Sequence, residues 1–84
     1  MALIDELADD LAAKTMVAMK ELDDDRFYMQ VAKVIGTSSP SLQEAFMTSC
    51  RLRISAQRGE AFLADALKAW REGAAAPRDT EGGQ

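Results

Sequence analysis

The 84-residue sequence contains no histidine, one cysteine and two prolines. Without histidine the chain lacks the commonest general base and metal ligand. A lone cysteine, Cys50, excludes a disulfide framework within the chain, and with no histidine to activate it, it reads as a core residue and not as a nucleophile. No apolar run approaches the roughly 20 residues that span a bilayer, and the opening Met-Ala-Leu-Ile-Asp-Glu-Leu has neither a basic leader nor a cleavable apolar stretch. A cytoplasmic protein is the expectation. Glycine-rich phosphate loops and metal-ligand spacings are missing too. The run Asp23-Asp24-Asp25 is not a calcium loop, because no glycine or closing glutamate follows at the required places. These absences point away from catalysis, cofactors, metals, a small-molecule ligand and membranes.

What is present is a charged, apolar-rich chain whose net charge of -4 is unevenly spread. Residues 1–25 carry -6, residues 26–58 carry +4 and residues 59–84 carry -2. The basic centre comes from Arg26, Lys33, Arg51, Arg53 and Arg58 against Glu44 alone. Most such charge runs are solvated helix faces, and the sharper reading is a surface for a polyanion or an acidic partner.

The apolar spacing predicts an all-α fold, a small bundle of three to four helices over about 3–22, 25–35, 41–58 and 60–72. Leu3, Ile4, Leu7, Ala8, Leu11, Ala18, Met19 and Leu22 recur at three-and-four spacing and form the predicted buried face of the first helix. The next apolar set, Phe27, Tyr28, Val31, Val34 and Ile35, projects to nearly the opposite side, so the chain is expected to turn at the aspartates. The second helix should close at Gly36 in the left-handed conformation. Ser39 before Pro40 starts the third, with Ser41 and Glu44 as an alternative capping box. Beyond that, two readings stay open. Leu42, Ala45, Ser49, Leu52, Ala56, Gly59, Leu63, Ala66 and Trp70 share a stripe if one helix continues. Phe46, Cys50 and Ile54 form a face that does not run on into Phe62, Leu63, Leu67 and Trp70, which favours a break near Arg58-Gly59. Residues 1–73 are read as a single domain and 74–84, with no large apolar residue, as a disordered tail.

The segment 28–47 resembles the general helix-turn-helix pattern of bacterial DNA-binding proteins. Ala32, Gly36 and Leu42 stand at its small, glycine and aliphatic positions, with Val31, Ile35 and Ala45 at further apolar ones. The resemblance implies a second helix entering the major groove. It assigns base or backbone contacts to Ser38, Ser39, Ser41 and Gln43, and makes Lys33, Arg51 and Arg58 the phosphate candidates. Thr37 stands where that pattern usually has an apolar residue, and the presumed reading face carries Glu44 and Met47.

A rival expectation is a protein-interaction or self-association module, including a homodimer. It is motivated by the alanine-rich stripe of the later helices, the adaptable side chains of Met16, Met19, Met29 and Met47, and the acidic first helix. Phe62 and Trp70 read as core beneath the first helix, with partner anchoring as the alternative. The predicted function is accordingly a non-catalytic binding module, with DNA binding as its rival.

Overall fold

A computed structural model describes residues 2–73. It is all-helical: α1 spans Leu3–Leu22, α2 Phe27–Gly36 and α3 Pro40–Arg71, with no strand among the described residues. The predicted tail, 74–84, lies outside the described residues. The chain divides into two compact units, Met1–Ile54 and Ser55–Gln84.

In the first unit the aspartate run turns the chain as expected. Asp23 adopts the left-handed conformation (φ 52°, ψ 45°), its N–H donates to the Lys20 carbonyl at 3.3 Å, and the Asp24 N–H donates to that of Met19 at 3.1 Å. These two bonds satisfy carbonyls that the end of α1 would otherwise leave unpaired. The Asp24 carboxylate then accepts the Arg26 N–H at 3.0 Å. Four residues, Asp23 to Arg26, are used in the turn, so α2 begins at Phe27 instead of 25.

The second turn differs from expectation at Gly36. Among the described residues, positive φ occurs only at Asp23 and Gly73, so Gly36 is helical and not left-handed. Its missing side chain matters for another reason: a Cβ there would lie 2.5–2.9 Å from the side-chain amide of Gln43, which crosses from α3 to donate to the Ala32 carbonyl at 2.9 Å. α3 starts at Pro40, as Ser39-Pro40 implied, and Ser39 is the cap, its hydroxyl accepting the Leu42 N–H at 3.0 Å. The alternative box from Ser41 is therefore not the one used. Proline fits the first helical position because its missing N–H has no partner to lose.

The core of this unit is one large side chain set among small ones. Phe46 and Cys50 are fully buried, and Ala8, Ala12 and Ala32 complete the cluster. Leu11, Met16, Tyr28, Val31, Ile35, Leu42, Ala45 and Met47 pack around it, half-buried. This corrects the expected face of α1. Its buried line is Ala8, Ala12, Thr15 and Met19, while Leu3, Leu7 and Leu22 of the leucine stripe are exposed. The Phe46 ring occupies the volume that leucines would need, so alanines face it. Thr15, polar within this line, donates its hydroxyl to the Leu11 carbonyl at 2.7 Å and so enters the core satisfied.

In the second unit the break expected near Arg58-Gly59 does not occur, and α3 is one helix of 32 residues. A glycine costs about 1 kcal/mol relative to alanine inside a helix. That is too little to end a helix flanked by Gln57, Arg58, Glu60 and Ala61, with no proline and no capping side chain at hand. The change of apolar face that argued for a break is carried within the continuous helix. The described α3 residues from Ser55 onward are exposed except Ala66 and Ala69, which are half-buried.

Candidate interaction surfaces

Two surfaces of the molecule carry chemistry worth weighing. The first is an open groove of about 570 Å³ between α2 and α3, lined by Met29, Ala32, Lys33, Pro40, Gln43, Glu44, Met47, Thr48 and Arg51. Helical spacing puts Lys33 one turn after Met29 on α2, and Gln43, Met47 and Arg51 at four-residue steps on α3. The groove thus collects three of the seven residues singled out from sequence: Lys33, Gln43 and Arg51. Lys33 and Arg51 are exposed cations at its border, and Glu44 is an exposed acid beside them. Gln43 is already engaged, because its amide nitrogen is held by Ala32.

The three serines fall at the α2–α3 turn. Ser39 caps α3 through its side chain, while Ser38 and Ser41 are exposed. Arg58 belongs to the other unit and is exposed there.

A polar contact that the periodicity did not reveal ties α1 to α3. The Ser49 hydroxyl, buried, donates to an Asp9 carboxylate oxygen at 2.7 Å. Arg53 completes the set, its Nε donating to Ser49 Oγ at 3.3 Å and its Nη2 to the Asp9 carbonyl at 3.4 Å. The only sequence signal was a serine in an otherwise apolar stripe. Its geometry is that of a crosslink between helices in which the buried Ser49 hydroxyl both donates and accepts. Next to it a smaller cleft of about 330 Å³ is lined by Asp5, Ala8, Asp9, Ala45, Thr48, Ser49 and Leu52.

Cys50 sits fully buried against Phe46, as expected from their shared face. Burial pushes its thiol up to about 11, with Arg53 pulling weakly the other way. At neutral pH the thiol is therefore held in its protonated form. Among the described residues no three Cys, Asp or Glu side chains converge as a metal site would require, and no helix is long and apolar enough to cross a membrane.

The second surface lies on α3 beyond Ser55. Phe62, Leu63, Leu67 and Trp70 are 70%, 60%, 42% and 67% exposed. Phe62 and Trp70 are therefore not core residues, contrary to expectation. Leu63, Leu67 and Trp70 follow Phe62 by one, five and eight residues, which puts all four on one side of the helix, and Gly59 and Ala66 project into the same arc. Gln57, Ala61, Ala64 and Lys68 occupy the other side. The pattern is that of a helix made to be covered, presented without a cover. No family model, curated protein or solved structure matches the chain.

Proposed function

We propose that this protein is a small non-catalytic helical module that works by binding protein, and that it does so through the apolar face of α3 formed by Phe62, Leu63, Leu67 and Trp70. The observation that carries the proposal is the exposure of those four large side chains on a single helix face. Scattered exposed apolar residues are ordinary, whereas a contiguous patch that includes two aromatics is characteristic of an interface. Aromatics are the anchors of such interfaces because each brings about 150–250 Å² of burial on few rotatable bonds. A buried, protonated Cys50 has a structural role in this reading. A reducing, cytoplasmic setting suits a protein whose one thiol stays free.

The test is a photoreactive phenylalanine analogue at position 62, with the same group at the exposed Gln57 on the opposite side of the helix as control. Covalent protein adducts, to itself or to another protein, are expected from position 62 and not from 57. Equal or absent labelling at the two positions refutes the reading.

A second reading, DNA binding through the helix-turn-helix-like segment, draws on the two cations Lys33 and Arg51 that border one groove. It is weakened by the internal bonds that occupy Gln43 and Ser39. A salt titration with duplex DNA decides it: each phosphate contact adds about 0.9 to the slope of affinity against salt. Lys33→Ala and Arg51→Ala should each lower that slope by about one, and no association at low salt removes the reading.

A further inference from the structure

We propose that the occupant of the exposed α3 face is a second copy of the same chain, the two α3 segments packing antiparallel about a two-fold axis midway between Asp65 and Ala66. This rests on the preceding reading of the face as a protein-binding surface and names its partner. Two observations support it.

The first is charge. At 100° per residue, Glu60 and Arg71 project within about 20° of one another, along one border of the apolar face. In an antiparallel pair that border meets itself, and with the axis at 65–66 each Glu60 falls opposite Arg71 of the second copy. The match occurs twice by symmetry. On the other border the same register brings Arg58 toward Glu72 of the second copy. None of these four side chains is ion-paired with another described residue of its own chain. A parallel pair would instead bring Glu60 toward Asp65 of the second copy, acid against acid. Asp65, which projects between Arg58 and Glu72 on that border and lies near the axis, is the one unfavourable approach in the antiparallel register.

The second is Gly59. Apart from its own helix turn, no described residue stands within 4 Å of where its side chain would be, so no such contact accounts for a glycine in the interior of this helix. It projects within the arc of the apolar face, one turn before Phe62 and Leu63. In the antiparallel register Trp70 of the second copy arrives beside Gly59 and Phe62, and a glycine leaves room for the indole to approach the backbone. The aromatics at about two-thirds exposure alone offer roughly 200–340 Å² per copy. With the leucines and flanking charges the pair reaches the order of 1,000 Å² in total, the size of a reversible contact.

The experiment is sedimentation equilibrium of the full chain from about 1 μM to about 1 mM, the range in which so small an interface should dissociate. Emission of Trp70, the only tryptophan, is followed on the same samples. A monomer–dimer equilibrium with a blue shift on association is expected. Glu60→Arg alone and Arg71→Glu alone should each weaken it by roughly tenfold, since each places like charges together at two symmetric positions. Mixing the two variants should restore it, because in the mixed pair the Glu60→Arg position meets the Arg71→Glu position and native Glu60 meets native Arg71, opposite charges at both contacts. Both substitutions are at exposed positions, and an unchanged helical circular dichroism signal confirms folding. Gly59→Leu should weaken association while raising helix content. A wild-type chain that stays monomeric at 1 mM, or a mixture that pairs no better than its components, overturns the proposal. Adducts from position 62 to a different protein, with a monomeric chain, overturn the second copy as partner and leave the protein-binding reading standing. A monomeric chain with no adducts overturns both.

Discussion

The effect of adding a methyl group at Gly36 should depend on whether Gln43 is present, and a double-mutant cycle can read that dependence. In the structure Gly36 is helical, and its missing Cβ makes room for the Gln43 amide that reaches the Ala32 carbonyl. Gly36→Ala has two opposed consequences. Alanine is favoured over glycine in a helix by about 0.5–1 kcal/mol. The added methyl, however, must push the Gln43 amide away and break a hydrogen bond with a net contribution of about 0.5–1.5 kcal/mol. These nearly cancel, so Gly36→Ala by itself should change stability by less than about 1 kcal/mol. Gln43→Ala alone should cost about 1 kcal/mol. In that background nothing opposes the methyl, and Gly36→Ala should now stabilise by about 0.5–1 kcal/mol, giving a coupling near 1 kcal/mol between residues 36 and 43. Urea unfolding followed at 222 nm, with all four proteins at one low concentration so that self-association does not enter, measures it. If the effects of the two substitutions add within about 0.3 kcal/mol, the steric argument is wrong. A constant loss of about 1 kcal/mol on Gly36→Ala in both backgrounds would restore the left-handed cap that the sequence first implied.

Other consequences can be measured in the same way. Phe46→Ala removes the one fully buried aromatic ring and should cost about 3–5 kcal/mol, enough to abolish cooperative thermal unfolding in a domain this small. Asp23→Gly relieves the one described non-glycine residue with positive φ and should raise stability by up to about 1 kcal/mol in urea titration. Ser39→Ala removes the cap of α3 and should lower stability by about 1 kcal/mol. Cys50 has a folded-state pKa raised from 9.0 to about 11, so the folded chain holds its proton where the unfolded chain has lost it. Stability from this source is complete below pH 9 and declines as pH rises toward 11. Cys50→Ala should flatten that alkaline slope, and an unaltered slope would remove the thiol from the explanation.

Much of the local structure was legible because it rests on rules that act over a few residues. The apolar spacing of residues 3–22 and the aspartates after it placed the first helix and its turn. Ser39-Pro40 placed the start of α3 to within one residue. The shared face of Phe46 and Cys50 read as core and is core. By contrast, the spacing of α1 showed which arc is apolar but not which part of that arc a neighbour covers. The Phe46 ring, 34 positions after Ala12, decided that the alanines and not the leucines are inside. The groove was only partly legible: Lys33, Gln43 and Arg51 were named from the sequence, but that Gln43 is spoken for by Ala32 depends on how α2 and α3 meet.

The sequence by itself therefore determined that the chain is helical and where its first two turns fall, through periodicity, proline, serine and aspartate acting on their own neighbours, while the break it favoured at Arg58-Gly59 is absent. It determined the apolar character of the Phe62–Trp70 segment as well. Only the tertiary structure decided the purpose of Gly36, the crosslink of Asp9, Ser49 and Arg53, and the exposure of Phe62 and Trp70. Each of these depends on atoms brought together from distant positions or left uncovered, and burial is a property of such neighbours, which local spacing does not encode.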